Sequence, residues 1–178
     1  MKPGKAIKQF MDVLTDYEKG EILDYKEVYF VGPKARKIKG SPLNEFNFGY
    51  DDERGDYLVQ MHDHMAYRFE VVDFLGKGSF GQALKCWDHK NNEYVALKVI
   101  RNKKRFYYQA GVEVKVLAHL RDNDPHDHQN IIRMKDYVVF RKHLVLQQPS
   151  LICSVYYFRV AQHQPIRVSQ KQRFIKSR

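Results

Sequence analysis

Three glycines carry the first chemistry. Leu75-Gly76-Lys77-Gly78-Ser79-Phe80-Gly81 spaces Gly76, Gly78 and Gly81 as G-x-G-x-x-G. Glycines at this spacing let backbone N–H groups turn toward a phosphate at close range. Several folds use such a loop, and the residues after it decide which. A dinucleotide-binding loop runs from its third glycine straight into a helix. Gln82 to Asp88 alternates like a strand instead, with Leu84, Cys86 and Trp87 around Lys85. A Walker loop needs Gly-Lys-Ser/Thr, which Gly76-Lys77-Gly78 does not supply. Strand, glycine turn, strand remains: a hairpin whose tip covers phosphates.

A lysine and a glutamate complete the set. Val95-Ala96-Leu97-Lys98 places one cation in an apolar strand, 17 residues after Gly81. Burying that ammonium is costly unless an anion meets it; an exposed lysine on an edge strand is the plain alternative. Downstream, Phe106, Ala110, Glu113, Leu117 and Leu120 step by 4, 3, 4 and 3 and share one helical face. Glu113 is the single charge on that face, and Lys98 is its natural partner. If the helix is rotated, Glu113 is merely solvated, and the alternating Val112, Val114 and Val116 keep that reading open.

These residues need elements to position them. Ile7, Phe10, Leu14 and Tyr17 fall at helical spacing between Pro3 and Gly20, predicting an amphipathic helix over 4–19. Glu27 to Val31 reads as a short strand closed by Gly32-Pro33, and 33–56 as an irregular connector. RFEVVDFL, GQALKCWD and EYVALKVI are three strands separated by the turn-rich KGSF and HKNN. Arg105 to Arg121 is the helix candidate, weakened by Gly111. Ile131 to Phe140 and Leu144 to Leu146 are further strands.

Composition sets the outer limits. The 178 residues are 43% hydrophobic with a net charge of +10, enough apolar material for a packed core in one domain or two small ones. No Asp or Glu follows Asp136, and eight Lys and Arg lie beyond it. The basic balance therefore belongs to the tail, where Tyr156, Tyr157, Phe158 and Phe174 offer stacking groups; without a motif, a solvated extension is expected there and nucleic acid is not. Cys86 and Cys153 cannot make a disulfide framework. The first residues lack the apolar core of a signal peptide, and Leu151 to Phe158 is too short to span a bilayer. A cytoplasmic or nuclear protein is expected.

Residues 67–144 resemble the start of a protein kinase domain. YRFEVVDFLGKGSFGQALKCWDHK and VALKVIRNKKRF are similar to the DYRK family, the dual-specificity tyrosine-phosphorylation-regulated kinases. YDDERGDYLVQMHDHMAYRFE resembles that family's homology box, and LTDYEKGEILDYKEVYFVG the N-terminal autophosphorylation accessory region of its class II members. The resemblance implies an α+β fold: a kinase N-lobe with a five-stranded antiparallel sheet and an αC helix, preceded by an accessory α/β segment. The expected division is 1–64 for accessory region and homology box, 65–146 for the N-lobe, and 147–178 for a divergent basic tail. ATP is the implied ligand, with Leu75, Gly76, Lys77, Gly78, Ser79, Phe80, Gly81, Ala83, Ala96 and Lys98 around it and Glu113 as partner of Lys98. Ala83 departs from the family's valine, which packs on adenine, so less apolar area meets the base.

The 178 residues hold no H-R-D-L-x-x-x-N loop and no D-F-G, the motifs that supply the base and the magnesium ligands. His119-Leu120-Arg121-Asp122 and Asp73-Phe74-Leu75-Gly76 each carry an extra residue and do not qualify. The expectation is a truncated dual-specificity Ser/Thr/Tyr kinase with no catalytic residue of its own, weak ATP binding, no magnesium ligands and no activity alone. The alternative is a non-catalytic module that binds partners of the full-length kinase. Two His-x-His tripeptides, at 62–64 and 126–128, lie in polar sequence without a cysteine pair, and no metal is expected there.

Overall fold

The computed structural model describes residues 1–124, 126, 128 and 133–149. Its centre is an antiparallel sheet: β1 (His64–Met65), β2 (Phe69–Gly78), β3 (Gly81–Asp88), β4 (Glu93–Ile100), β5 (Asp136–Phe140) and β6 (His143–Pro149), in the order β1-β2-β3-β4-β6-β5. The three strands read from alternating apolar residues are present, and β2 runs on through the glycines to Gly78. The two-residue β1 adds a sixth strand to the expected five. It exists because Met65 pairs with Phe69 across a tight turn, with Ala66 and Tyr67 both at positive φ. The expected strand from Ile131 starts only at Asp136, and 129–132 lie outside the described residues. At its other end β6 continues to Pro149, because Gln147 pairs with Leu97 and Asp136, and Gln148 with Ala96.

One helix crosses from β4 to β5: α4 (Lys104–Asn123), which contains Gly111 and all three alternating valines. Only Phe106 and Ala110 are buried along its 20 residues. They pack with Ile100, Met134, Leu144 and Leu146, while Leu117 is partly buried against the same cluster. The alternating valines therefore do not make a strand. Val112 and Val116 are exposed and Val114 packs inward. The sheet's other face meets Tyr50, Tyr57 and Phe140 in a second core.

The first 63 residues wrap this sheet. The expected helix over 4–19 is two helices, α1 (Pro3–Gln9) and α2 (Asp16–Glu21). The reason is a capping box: Thr15 Oγ1 accepts from Glu18 N at 3.2 Å and Glu18 Oε2 accepts from Thr15 N at 2.9 Å, starting a new helix at Asp16. Gly20 does not stop it; the chain passes into a 3₁₀ turn at Ile22–Asp24. The strand expected at Glu27 to Val31 is absent as well. Val28 N donates to Met1 O, and Tyr29 N and Phe30 N both reach Tyr67 O, so this extended segment follows the N-terminus and one carbonyl rather than a ladder. The connector 33–56 is irregular, as expected, with one short turn, α3 (Glu45–Phe48), in which Phe46, Asn47 and Phe48 are left-handed. Asn47 holds that conformation by donating to Asp51 and to the carbonyl of Arg141.

Candidate nucleotide-phosphate site

Cross-strand register builds the site. Gly76 pairs with Ala83, Ala83 with Lys98, and Lys98 with Leu146. Paired residues of an antiparallel sheet share a face, so these four form one row across four strands. Two residues along, Lys85, Ala96 and Gln148 form the next row. Ala83 and Ala96 are buried, with Leu75 packed against both, giving a small apolar floor beside the glycine turn.

The glycine turn is held from several sides. Gly78 pairs with Gly81, and Ser79 and Phe80 form the tip. Gly81 is obligatory: its φ is +148°, and an added Cβ would sit 2.0 Å from the carbonyl oxygen of Val99. Arg101 N donates to Phe80 O at 2.9 Å. The Phe80 ring stands edge-on to Phe106 of α4, centroids 5.8 Å apart. Lys77 reaches backwards in sequence, its ammonium 2.9 Å from Asp56 and 3.3 Å from Asp52. The buried Asp56 also takes a two-point bond from Arg101, at 2.8 and 2.9 Å. Asp56 in particular, with burial opposing, holds the Lys77 ammonium above its ordinary range. Of the loop residues singled out in the sequence, Lys77 and Phe80 thus direct their side chains to other elements, and what they can offer a phosphate is backbone N–H.

Lys98 and Glu113 meet at the end of the row. Lys98 Nζ donates to both carboxylate oxygens, at 2.7 and 2.8 Å. Their side chains remain 18% and 33% exposed, so this ion pair can reach a solvent-borne ligand. Both Glu113 oxygens accept from Lys98, which fixes the carboxylate as the partner of that ammonium. The arrangement can hold a polyphosphate: backbone N–H groups in a glycine hairpin, an oriented ammonium, and an apolar floor for a base.

Among the described residues, the two histidines of the first His-x-His tripeptide turn to different partners. His62 turns to Glu70 at 3.1 Å, whereas His64 is buried on Glu18 at 2.8 Å. Glu18, Asp63 and His64 converge, but Lys37 already bonds both carboxylates, at 2.8 and 2.9 Å, and Arg141 adds a second cation at 3.3 Å from Glu18. Side-chain charge takes the role an ion would have. His126 and His128 contact each other, rings 5.7 Å apart. His119-Leu120-Arg121-Asp122 ends α4 as ordinary helix, with Arg121 on Asp122.

Sequence reading missed the acidic anchors Asp52 and Asp56. The run Asp51-Asp52-Glu53-Arg54-Gly55-Asp56 is the one signal available, since clustered carboxylates in a connector need cations from elsewhere in the fold.

The protein kinase domain family matches residues 69–177, a span that covers the glycine hairpin, Lys98 and α4 and runs on past Gln147. The chain is 50% identical to human dual specificity tyrosine-phosphorylation-regulated kinase 4 over 142 residues, 80% of this chain and 27% of that protein. It is 47% identical to dual specificity tyrosine-phosphorylation-regulated kinase 2 of Drosophila melanogaster over 82% of this chain and 21% of that protein. Kinase 3 of the same name from Rattus norvegicus is 45% identical over 88% of this chain and 27% of its own length. The chain spans about a quarter of the length of these relatives. It belongs to the protein kinase family, and the relatives it is similar to are dual-specificity tyrosine-phosphorylation-regulated kinases.

Proposed function

We propose that this chain is the nucleotide-holding lobe of a DYRK-type dual-specificity protein kinase, with ATP as its ligand. The observation that supports it most is the row Gly76, Ala83, Lys98 with Glu113 closing on the lysine ammonium. The hairpin 75–81 covers the β- and γ-phosphates through backbone N–H groups, and Lys98, aimed by Glu113, bonds the α- and β-phosphates. Leu75, Ala83 and Ala96 receive the adenine ring. Magnesium neutralises the triphosphate in such kinases, and since the 178 residues hold no D-F-G, its ligands would come from residues outside this set. The base and the acceptor platform do too, since the 178 residues hold neither catalytic motif. By itself the polypeptide therefore binds MgATP at about millimolar Kd or weaker, half a pocket giving few contacts, and does not transfer phosphate. Its setting is the cytoplasm or nucleus; among the described residues, no helix is long and apolar enough to cross a membrane.

Titration calorimetry of the 178-residue chain with MgATP tests this reading. The expected result is weak binding that Lys98→Met abolishes. Equal binding by Lys98→Met would refute the role given to Lys98, and phosphate transfer to a general acceptor protein that is lost in Lys98→Arg would refute inactivity. A second reading, a non-catalytic interaction module, draws support from the outward face of α4. Partner capture without any nucleotide binding would favour it.

A further inference from the structure

The outward face of α4 has a composition that neither the sheet nor the nucleotide row explains. Tyr108, Val112 and Val116 recur every four residues and are 78%, 62% and 51% exposed. Four-residue spacing sets them on one stripe of the helix, turned away from Phe106 and Ala110, which seat the helix on the sheet. Beside the stripe runs a groove of about 580 Å³ between Asn102 and Lys115, with Tyr107 and Gly111 along it. An added Cβ on Gly111 meets nothing within 4 Å, so the groove is open at its middle.

Charge decides what fits. Lys104 and Lys115 line the groove, Lys103 and Arg105 flank its head, and the first turn of α4 has no acidic residue. The carboxylates around it are already paired: Asp51 with Asn102 at the groove's edge and with His143, Asp52 and Asp56 with Lys77 and Arg101, and Glu113 with Lys98 on another face of the helix. An aromatic and aliphatic stripe rimmed by cations of one sign suits an occupant with apolar anchors and negative flanks.

We propose that this face is a docking surface for an acidic peptide segment of another protein, with one or two large apolar side chains entering the groove between Tyr108 and Val112 while its carboxylates meet Lys104 and Lys115. The docking itself does not depend on nucleotide binding.

The test is fluorescence anisotropy on the whole 178-residue chain. Its probe is a labelled peptide of about 12 residues, two phenylalanines four apart among glutamates, against a mirror peptide with lysines for glutamates. The acidic peptide should bind with Kd of tens of micromolar, at least tenfold tighter than the basic mirror. Lys104→Glu/Lys115→Glu and Tyr108→Ala should each weaken it about tenfold with an unchanged melting temperature, as all three side chains lie on the helix surface. Equal affinity for the two peptides, or no loss in either variant, overturns the proposal. So does a concentration-dependent dimer in sedimentation that Tyr108→Ala dissolves, since the occupant would then be a second copy.

Discussion

Two charged clusters in this molecule use the same side chains to opposite ends. Where the N-terminal segment meets the sheet, Glu18, Lys37, Asp63, His64 and Arg141 lock together, each almost wholly buried and most bonded more than once. Arg141 alone reaches Glu21, Glu18 and the Tyr57 hydroxyl. Its plane also lies over Tyr50 at 3.9 Å. At the glycine hairpin, Lys98 has one carboxylate partner, on a helix that buries only two residues. Charge that is saturated and dry fixes architecture, whereas charge that is paired once and left partly wet stays available to a ligand.

The sharpest way to break this contrast is to remove Arg141. Arg141→Met takes the cation from the partly buried Glu21 and one of the partners from the buried Glu18, which keeps Lys37 and His64, and about 3 kcal/mol should be lost in urea denaturation. A loss under 1 kcal/mol would mean the junction is not structural.

A smaller effect comes from pH. His64 donates from Nε2 to Glu18 and accepts from Tyr67 N at Nδ1, the neutral tautomer. Burial above all, joined by the Arg141 and Lys37 charges and opposed by the Glu18 bond, holds its imidazole below the ordinary range. The unfolded imidazole takes its proton near pH 6.5, and the folded one resists it, so stability is present above that pH and falls as pH drops through 6.5. Glu18 works in the same sense at lower pH. Burial opposes its ionisation, but the His64 bond and Lys37 outweigh that and hold its carboxyl well below the usual range. Its contribution is present above about pH 4.5 and lost below it. His64→Gln should flatten the slope between pH 7 and 5, read from melting temperatures across that window.

The smallest stability effect belongs to the cleft. Lys98→Met or Glu113→Gln should change unfolding free energy by less than about 1 kcal/mol, as pairs still open to solvent do. A loss comparable to that of Arg141→Met would erase the distinction between the two clusters.

The sheet was legible because β2, β3 and β4 alternate and are separated by turn residues, and Lys98 and Glu113 stood out as single charges on apolar faces. The wrapping segment was not. Val28 and Val31 are buried like strand residues, yet the segment's backbone partners are Met1 for Val28 and Tyr67 for Tyr29 and Phe30, a pairing that local pattern does not encode. The break between α1 and α2 was written in Thr15-x-x-Glu18, but the apolar spacing of Phe10, Leu14 and Tyr17 ran through it. Lys77 was placed around ATP by the family resemblance, and the partners of its side chain, Asp56 and Asp52, lie 21 and 25 residues upstream, where no local pattern points to them.

That upstream reach has a practical meaning for anyone trimming the chain. The border of the family match, Phe69, is not the border of the folding unit. A piece beginning there keeps every glycine and Lys98, yet it loses Tyr50 and Tyr57 from the core, both acceptors of Lys77, and the glutamates that neutralise Arg141. Shortening from the N-terminus should give insoluble material well before it touches the nucleotide row.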